Sequence, residues 1–524
     1  MLDQIFATTQ IGFPILSLLV FFPLAGAIVI WVLKSDDVIR LTGILVVGIE
    51  MGLTVWLLFV FKSHTAAMQF VEQVPWIPEL GISYHLGIDG ISVLFVGVTA
   101  LLSLLAMLFS WDLEIDKTKV YVMGLLALQS TVMGILVSLD LILFFVFWEL
   151  MLIPSYFLIK LWGTGNLREN AALKYVLYTL AGSVLMLVGI IILDLNYQDF
   201  ALSQGIEPAH SFNLLTLLTT PMSLEKQLLV FFLLFFGFAA KAPIFPFHTW
   251  LADALVSGPV AVSVALAGIK LGTYGFLRFS IPLLPDASQV LIIPLSVLAL
   301  FGIIYGAFVA LAQSDLRRLL AFSSISHLGF VVLGLFALNF HGLQGGLLQM
   351  INLAFTTAGL FFIAGFLYSR GLQDDLTRYG GLIKPMPALG GFFIVMGLAS
   401  VGFPGTNGFV GEFLILLGAF KTHWFFGAVG VLGVILGLAY ILWYYERAML
   451  APPRETIIRD DQGVERATST LKDLNPREWV IALSLTSMIF WIGLYPSPFF
   501  DMMDASVQAI ADRVDPSKGV ITLP

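Results

Sequence analysis

Long apolar runs constrain the fold of this chain more than any other sequence feature. The stretch GILVVGIEMGLTVWLLFVF, residues 43–61, is one of many such runs, and a helix needs about twenty apolar residues to cross a bilayer. Of the 524 residues, 59% are hydrophobic and 11% are charged, against roughly one-quarter charged in soluble domains. A membrane β-barrel would show short alternating strands instead. The sequence therefore predicts an all-α polytopic membrane protein.

The apolar runs, read between charged or Pro/Gly-rich breaks, predict about fourteen transmembrane helices. The predicted spans lie near residues 11–33, 41–61, 88–110, 120–138, 139–162, 171–193, 227–247, 259–282, 290–312, 319–338, 344–369, 388–422 with a break inside it, 425–445 and 478–495. No basic segment precedes the first run, and that run is long enough to span. Both observations argue against a cleaved signal peptide.

The positions of the basic residues predict which side of the membrane each loop faces. Most Lys and Arg residues fall in loops that follow odd-numbered spans, and cytoplasmic loops carry such an excess. Both termini are therefore predicted on the non-cytoplasmic side, together with a few basic residues that include Arg278. The polar stretch 446–477 is predicted on the cytoplasmic side. Lys241 and Lys270 fit neither side and are predicted within the membrane.

Two similar segments, five spans apart, indicate an internal repeat. GFAAKAPIFPF at 237–247 and VGFPGTNGFVGEF at 401–413 each place Gly and Pro beside one ionisable residue. An odd number of spans inverts the second copy, and paired interrupted spans point to transporter pathways. The predicted units are 1–119 for three N-terminal helices, 120–282 and 290–445 for two inverted repeats, 446–477 for a loop, and 478–524 for the last helix and C-terminal tail.

Several kinds of chemistry are poorly represented in the sequence. The chain has no cysteine, which excludes disulfides, iron–sulfur ligation and thiolate metal sites. Metal-ligand spacings and nucleotide-binding glycine motifs are not evident, so neither a metal nor a redox cofactor is expected in this chain. A net charge of -8 without a basic stripe argues against a nucleic-acid partner.

Two charged residues lie deep within predicted spans. Glu149, in FFVFWELMLIPSYFLIK, is about ten residues into its span, and Lys270, in VALAGIKLGTYGFLRF, is equally central. A charge at the bilayer centre costs about 2.5–3.5 kcal/mol on insertion scales, so something must compensate each of them. A structural role is the alternative for both. Glu149 could be neutral or tie helices together, and Lys270 could pair with a buried carboxylate without any transport role.

Lys241 and His248 flank a predicted break in a helix. Pro243 and Pro246 would unwind the backbone, and unwound backbone is tolerated at membrane depth where it is buried in protein or lines a wet cavity. Lys241 is then expected at the mouth of a hydrated pocket. The alternatives are that Lys241 reaches the interface along its aliphatic stem and that His248 is an interfacial residue.

Three further ionisable residues belong to the candidate set. His327, in AFSSISHLGF, has three neighbouring serines that could hold water, and Glu412 follows the break GFPGTNGFVG. Asp140 begins a span and could simply face the aqueous side. A structural role is an alternative for His327 and Glu412 as well.

Taken together, these side chains predict a proton relay. Burial disfavours the charged form of each group, whereas pairing Glu149 with Lys241 or Lys270 favours both charged forms. Making or breaking the pair would therefore switch proton affinity. Lysine and histidine can release a proton, which arginine cannot. Protons are predicted to enter near Glu149 and Lys241, pass Lys270 and His327, and leave by Glu412.

Four segments, in order along the chain, resemble one membrane-protein family. FFVFWELMLIPSYFLIKLWG, AAKAPIFPFHTWLADA, QSDLRRLLAFSSISHLGF and GFPGTNGFVGEF are similar to signature segments of the antiporter-like subunits of respiratory complex I and its photosynthetic relatives, and among these to the subunit 4 type. The similarity covers most of the chain and is weakest at its ends. It implies fourteen core helices with two inverted five-helix repeats, coupling quinone reduction elsewhere in a complex to proton translocation.

The resemblance also assigns positions in the relay. It implies that the proton-carrying groups are Glu149 in the fifth helix, Lys241 in the broken seventh, Lys270 in the eighth, His327 in the tenth and Glu412 in the twelfth. Glutamate at the last position looks like subunit 4, whereas sister subunits and related sodium/proton antiporters have lysine. Supporting positions are expected at Asp140, His248, Asn352 and Thr356.

Three positions depart from the family pattern. Leu353 stands where a histidine is usual, so a relay from His327 to Glu412 is expected to need water, held by Asn352, Thr356 or Thr357. Ala252 and Leu255 replace a usual proline and histidine. These departures, in a sequence of cyanobacterial style, suggest the variants found in complexes for CO2 uptake.

The function implied by the resemblance is that of a subunit of an NAD(P)H- or ferredoxin-plastoquinone oxidoreductase in a thylakoid membrane. Quinone, iron–sulfur clusters and the electron donor are then expected in partner subunits. The expected partners are other membrane-arm subunits, including antiporter-like ones, CO2-hydration subunits and the lipid bilayer. Two alternatives remain. One is a sodium/proton antiporter subunit without redox coupling; the other is a passive membrane scaffold, which leaves the central Lys270 unexplained.

Overall fold

The computed structural model describes residues 12–112, 116–205, 210–373, 375–454, 457–459 and 465–518. The helices of its first half are α1 Ile15–Val32, α2 Asp36–Val60, α3 Ser92–Phe109, α4 Thr118–Val137, α5 Leu141–Leu150, α6 Leu152–Trp162, α7 Arg168–Ser203, α8 Leu214–Leu218, α9 Leu224–Lys241 and α10 Thr249–Ser257. Most of these helices are apolar along their length, as the runs in the sequence predict.

The second half of the chain continues in the same way. Its helices are α11 Val260–Gly268, α12 Leu271–Gly275, α13 Pro285–Val290, α14 Ile292–Leu311, α15 Leu316–Leu335, α16 Phe340–Tyr368, α17 Pro387–Ser400, α18 Asn407–Thr422, α19 Trp424–Tyr445, α20 Pro476–Leu494 and α21 Ser497–Val514. A π-helical turn, Phe276–Ser280, extends α12 towards Leu283, and a second one, Glu446–Leu450, extends α19.

Each predicted span coincides with a helix or with two helices divided by a break. Among the described residues, twelve helical segments are long and apolar enough to cross a membrane. The other two predicted spans correspond to α9, which carries charged residues at both ends, and to the broken pair α17 and α18. The predicted helical membrane fold is confirmed. The count of fourteen and the two inverted repeats stay predictions.

Two antiparallel hairpins add β-structure that the sequence did not predict. β1 Gln69–Ile77 pairs with β2 Ile82–Ile88 in the loop after α2, and β3 Ile457–Arg459 pairs with β4 Glu465–Ala467 within the polar stretch 446–477. Gly81, at φ +63°, forms the turn of the first hairpin and packs against the backbone of His210. Any side chain at this position would overlap with that backbone. Apolar runs locate the spans but carry no signal for such short strands between them.

The most enclosed helix is α16. All residues from Gly342 to Leu367 are buried, because the helix packs against α11, α15, α17 and α18. By contrast, less than half of the residues in the most apolar part of α1 and of α2 are buried, and both helices expose large apolar side chains such as Trp31 and Phe59. A central helix surrounded by protein on every side is where polar side chains can be satisfied without facing lipid.

Arg278 lies inside the protein, near the end of the predicted span 259–282, and the side of the membrane predicted for it stays a prediction. It sits in the π-helical turn after α12, and its guanidinium Nη1 is 2.7 Å from Oδ2 of Asp89, with both side chains buried. An ion pair of this kind offsets the cost of removing each charge from water. The predicted side of the termini concerns residues 1–11 and 519–524, which lie outside the described residues, and it stays a prediction.

Candidate functional site

Lys241 is the last residue of α9, immediately before the break that the sequence predicted. Pro243 and Pro246 fall in the unwound stretch between α9 and α10, because proline cannot continue a helix. The Lys241 Nζ donates to the backbone carbonyl of Trp148 at 3.1 Å and lies 3.9 Å from the centroid of the Trp148 ring. The side chain is buried, so the alternative in which it reaches the interface is wrong.

Glu149 follows the tryptophan that holds Lys241. It lies near the end of α5, and the helix is interrupted at Met151 before α6 begins with Pro154 in its first turn. Its carboxylate oxygen Oε1 is buried without a hydrogen-bond partner. The carboxylate and the Lys241 amine attract each other electrostatically, although the close ion pairs of the described residues do not include these two. The Glu149 carboxylate and the Lys241 amine are therefore close enough to interact electrostatically, but they do not form a direct ion pair.

Lys270 occupies a second break, between α11 and α12. Its amine donates to the carbonyl of Ala267 at the end of α11 and to the hydroxyl of Ser324 at 3.2 Å. Only 5% of the residue is exposed. The break in the helix thus positions the Lys270 amine and leaves a carbonyl free to accept from it. The contact with Ser324 connects the amine to α15.

The two breaks lie against each other. Gly272, two residues after Lys270, packs on the backbone of Phe238 and Ala242 so closely that any side chain would overlap with it. This close approach places the unwound end of α9 beside the start of α12. In the described residues, however, no side-chain hydrogen bond joins Lys241 to Lys270.

His327 lies on α15, one helical turn after Ser323 and Ser324. Its Nε2 is 3.1 Å from the hydroxyl of Tyr440, and that hydroxyl is 2.6 Å from the hydroxyl of Ser323. Tyr440 belongs to α19 and is completely buried. A hydroxyl can donate and accept at the same time, so Tyr440 joins histidine and serine in one hydrogen-bonded group.

Glu412 faces the other nitrogen of His327. The Nδ1 of His327 is 3.5 Å from Oε1 of Glu412, and both side chains are buried. Gly402, at φ +68° in the break before α18, leaves room for this carboxylate, since a side chain there would overlap with it. At this distance Nδ1 makes no hydrogen bond with the carboxylate. The expectation that water, held near Leu353, completes the step from His327 to Glu412 stays a prediction.

An amide network continues from Glu412 into α16. Gln349 donates to Oε1 of Glu412 at 3.2 Å, and Asn352 donates to Gln349 at 3.2 Å and to the carbonyl of Asn407 at 2.7 Å. Thr356 donates to the carbonyl of Asn352 at 3.2 Å. Asn352 and Thr356 therefore lie behind the carboxylate and support it, instead of bridging it to His327.

Asp140 and His248 lie apart from this group. Asp140 caps α5 by accepting from the backbone of Ile142 and Leu143, and it also accepts from the backbone and hydroxyl of Ser83 in β2. It is buried, so the expectation that it faces water is wrong. His248 is also buried, with its Nε2 3.3 Å from the Tyr305 hydroxyl. These contacts give Asp140 a role in joining the hairpin to the helix.

The structure adds Tyr440 and Gln349 to the residues found from the sequence, and it gives Ser324, one of the serines near His327, a contact with Lys270. Gln349 carried a signal, because an amide in the central apolar run GGLLQMINLAF needs a partner. Tyr440 carried none, since tyrosine is common in membrane helices and its contact with His327 spans 113 positions of the chain. Such a pairing depends on how distant helices pack.

Together, the buried amines, histidine and carboxylates on broken helices define an ion-translocating membrane protein of the transporter type. The profile of the family "NADH:quinone oxidoreductase/Mrp antiporter, TM" matches residues 138–437, more than half of the chain. The chain belongs to this family. Every residue of the buried group except Tyr440 lies inside the matched region, and Tyr440 follows it by three positions.

Relatives with assigned names are similar to the chain over nearly its whole length. NADH-quinone oxidoreductase subunit M of Rhodobacter capsulatus is 36% identical over 517 residues, 97% of this chain and 98% of that protein. NADH-ubiquinone oxidoreductase chain 4 of Marchantia polymorpha is 36% identical over 504 residues, 95% of this chain and 97% of that protein. The subunit 4 type implied by the four segments agrees with both names.

Solved structures show the same fold. A chain in respiratory complex I from Thermus thermophilus with bound NADH has a TM-score of 0.84 and 30% identity, over 95% of this chain and 100% of that one. A chain of the Mrp complex from Dietzia sp. DQ12-45-1b has a TM-score of 0.79 and 22% identity, over 98% of this chain and 100% of that one. The second likeness concerns the fold alone.

Proposed function

We propose that the chain is the proton-translocating, antiporter-like membrane subunit of an NADH:quinone oxidoreductase of the complex I type. The observation that carries this proposal is a set of buried polar contacts on α15, in which Lys270 contacts Ser324, the adjacent Ser323 contacts Tyr440, and His327 lies between Tyr440 and Glu412. Residues that bind and release protons lie along it at membrane depth, and a passive membrane anchor would have no need of them. Similarity over the full length of subunit M proteins supports the same function.

The proposed path uses the chemistry of each group in turn. The Lys270 amine donates to the hydroxyl of Ser324, and at the adjacent position of the same helix the Ser323 hydroxyl contacts Tyr440, which contacts Nε2 of His327. No hydrogen bond joins Ser324 to Ser323 among the described residues, so a water molecule between the two hydroxyls is proposed to take the proton from Lys270 and pass one on towards Tyr440. A proton arriving on one imidazole nitrogen allows release from the other towards Glu412, because neutral histidine carries one donor and one acceptor. Glu412 is the proposed exit, with Gln349 holding its carboxylate.

Glu149 and Lys241 are the proposed entry and control point. In the structure, the Lys241 amine is held by the carbonyl and ring of Trp148, while Glu149 keeps an oxygen without a partner. If the amine shifts from Trp148 to Glu149, an ion pair forms and both groups favour their charged forms. If it shifts back, the pair breaks and a proton can be exchanged. Redox events elsewhere in the complex are proposed to drive this alternation.

Redox chemistry is assigned to other subunits in this proposal. Quinone, iron–sulfur clusters and the electron donor are expected in partners of the complex, and this chain contributes as a subunit of the oxidoreductase. Other membrane-arm subunits, including antiporter-like ones, are the proposed neighbours. The fold leaves large apolar side chains such as Trp31 and Phe59 at its surface for lipid or for such neighbours.

Replacing Lys241 by alanine is expected to lower donor-driven proton translocation by at least about tenfold, since a positioned proton-transfer group is lost. The measurement is proton uptake by vesicles containing the purified complex, started with NADH. Lys174→Ala is the matched control, because Lys174 is a partly exposed lysine paired with Asp253 at 2.7 Å. Normal uptake by Lys241→Ala would refute the proposed role.

Removing the hydroxyl of Tyr440 tests the contact with His327. Tyr440→Phe is expected to slow proton translocation by about fivefold, which corresponds to a lost hydrogen bond of about 1 kcal/mol. Tyr445→Phe is the control, because Tyr445 lies on the same helix and donates to the carbonyl of Gly390, away from His327. Equal rates for the two variants would place Tyr440 outside the path.

A sodium/proton antiporter subunit without redox coupling is the second candidate. The family profile includes Mrp antiporters, and the fold is shared with a chain of an Mrp complex. Glu412, in place of the lysine usual in those antiporters, favours the oxidoreductase. The two functions differ in their energy source. Transport that requires a sodium gradient and ignores electron donors would identify the antiporter.

The finer proposal is a photosynthetic, cyanobacterial complex that uses plastoquinone in the thylakoid membrane, in the form found with CO2-hydrating partners. It is supported by the departures at Leu353, Ala252 and Leu255. All three side chains are buried, and Leu353 lies one position from Asn352 in the network behind Glu412. Mass spectrometry of the purified complex tests this proposal, since it identifies the bound quinone and the partner subunits directly.

A further inference from the structure

Glu50 is a second buried carboxylate that the proposed path does not use. It lies in α2, about 21 Å along the helix from its first residue, and it has no exposed surface. Its Oε2 accepts from the side-chain amide of Gln129 at 2.5 Å, and its Oε1 is buried without a hydrogen-bond partner. None of the ion pairs in the described part of the chain includes Glu50.

A carboxylate in this position is costly unless it can bind a proton. An isolated ionised carboxylate in an apolar interior loses far more solvation energy than one neutral amide donor returns. A purely structural role would be filled better by an apolar side chain of the same size. The geometry is therefore that of a carboxyl group that exchanges a proton, and such a group needs a route to water or to another titratable group.

A cavity beside Gln129 supplies that route. It has a volume of about 30 Å³ and lies between α3, α4 and α11. Polar side chains of Thr99, Ser103 and Gln129 line it, and its wall ends at Ile269, the residue before Lys270. About 10–15 Å³ suffices for one water molecule that has polar partners, so the cavity has room for one or two.

The buried hydroxyl of Thr99 is evidence for water in this cavity that does not depend on Glu50. The threonine is completely buried, it lines the cavity, and its hydroxyl has no hydrogen-bond partner within the protein. Buried hydroxyls are almost always satisfied by protein or by ordered water. One water molecule between Thr99 and Gln129 would satisfy the hydroxyl and continue the contact that Gln129 makes with Glu50.

We propose that Glu50 is a proton-binding site, held by Gln129 next to a hydrated cavity that reaches the residue before Lys270, and that it forms a side branch of the proton path from the N-terminal helices. Water that enters beside Gln129, and not the amide itself, carries the proton. This inference rests on the proposed proton-translocating function. Glu50, Gln129 and Thr99 belong to three different helices, α2, α4 and α3, so the branch exists only in the folded protein. The ligands of the site are protons and water.

The experiment uses the complete purified complex in vesicles. Glu50→Gln is expected to lower donor-driven proton translocation by about threefold, in the range found for residues that modulate a coupled network. Infrared difference spectroscopy should show the carbonyl band of a protonated carboxylic acid in the unmodified complex and lose that band in Glu50→Gln. The band should shift in heavy water, because the proposed cavity gives the proton access to solvent.

Thr99→Val tests the cavity without touching the carboxyl group, and it remains informative if Glu50→Gln does not assemble. The band should persist in this variant, while its shift in heavy water becomes about tenfold slower, as expected when an ordered water loses its partner. The control is Thr131→Val, because Thr131 lies on α4 near Gln129 and does not line the cavity, and its hydroxyl already donates to the carbonyl of Leu128. It should behave as the unmodified complex.

The outcomes separate this inference from the proposed function. Unchanged translocation and an unchanged carbonyl band in Glu50→Gln would overturn the inference, provided that Lys241→Ala still reduces translocation. A band that does not respond to heavy water in the unmodified complex would also overturn it, since the carboxyl would then be sealed. If Lys241→Ala itself translocates protons normally, the result refutes the proposed function, on which the inference about Glu50 rests.

Discussion

Replacing Lys270 by leucine is expected to lower donor-driven proton translocation by about a hundredfold while the complex still assembles, since general acid–base groups contribute about 10² or more. Leucine fits the apolar surroundings of the break, so the fold should tolerate it. What is lost is the amine that contacts Ala267 and Ser324 and so begins the hydrogen-bonded group on α15. Proton uptake by vesicles and subunit content on native gels measure the two effects separately.

Lys270→Arg separates charge from proton transfer at the same position. Arginine keeps the positive charge but does not release a proton under these conditions, so the variant should assemble and translocate as poorly as Lys270→Leu. If Lys270→Arg instead translocated normally, the amine would act only as a fixed charge. Normal assembly and normal translocation by Lys270→Leu would favour the passive scaffold, the alternative that leaves this lysine unexplained.

The spans could be predicted from the sequence because each depends on a local property. A helix needs about twenty apolar residues to cross the bilayer wherever it lies in the fold, so runs such as 43–61 identify themselves. The breaks at Lys241 and before Glu412 were equally local, since proline and glycine interrupt a helix by their own geometry. Arg278 shows the limit of this approach. Its position near a span end suggested a residue at the membrane surface, and its burial is explained by Asp89, 189 residues away in the chain.

The candidate site could be predicted in its members but not in its connections. Glu149, Lys241, Lys270, His327 and Glu412 attract attention because charge within a membrane needs a reason. Their contacts depend on helix packing, which brings His327 within 3.5 Å of Glu412 although 85 residues separate them in the chain. The expectation of water near Leu353 stays a prediction, because the sequence gives no distance between α15 and α18 and Nδ1 of His327 has no hydrogen-bond partner within the protein. Glu50 carried the same local signal, a charge within the apolar run 43–61, but no broken helix or neighbouring ionisable residue in the sequence linked it to the other groups.

Glycines explain how the broken helices come close enough to form one group. Gly272 allows the backbone at Lys270 to pack on the backbone after Lys241, and Gly402 leaves space beside the Glu412 carboxylate. A larger residue at Gly272 would push two backbone segments apart, and a larger residue at Gly402 would displace the Glu412 carboxylate. The path therefore depends on residues without side chains as well as on those that carry protons, and a sequence pattern alone does not distinguish such glycines from those of ordinary turns.

The buried pair of Arg278 and Asp89 is expected to give the largest effect on stability. Asp89→Asn removes one charge and leaves Arg278 buried without its partner, which should lower the free energy of unfolding by about 3–5 kcal/mol. Asparagine keeps the oxygen that accepts from the backbone of Ile91 and Ser92, so the start of α3 stays capped. Thermal unfolding of the purified complex, followed by loss of this subunit, measures the change.

A second substitution and a surface pair show whether the unpaired charge is the cause. Combining Asp89→Asn with Arg278→Met should restore most of the lost stability, because methionine removes the stranded cation and fills similar space. Asp199→Asn is the control, since its pair with Lys226 at 3.1 Å is exposed and such pairs are worth about 1 kcal/mol or less. If the double variant were no more stable than Asp89→Asn alone, lost packing around Asp89, and not the stranded charge of Arg278, would be the cause of the destabilisation.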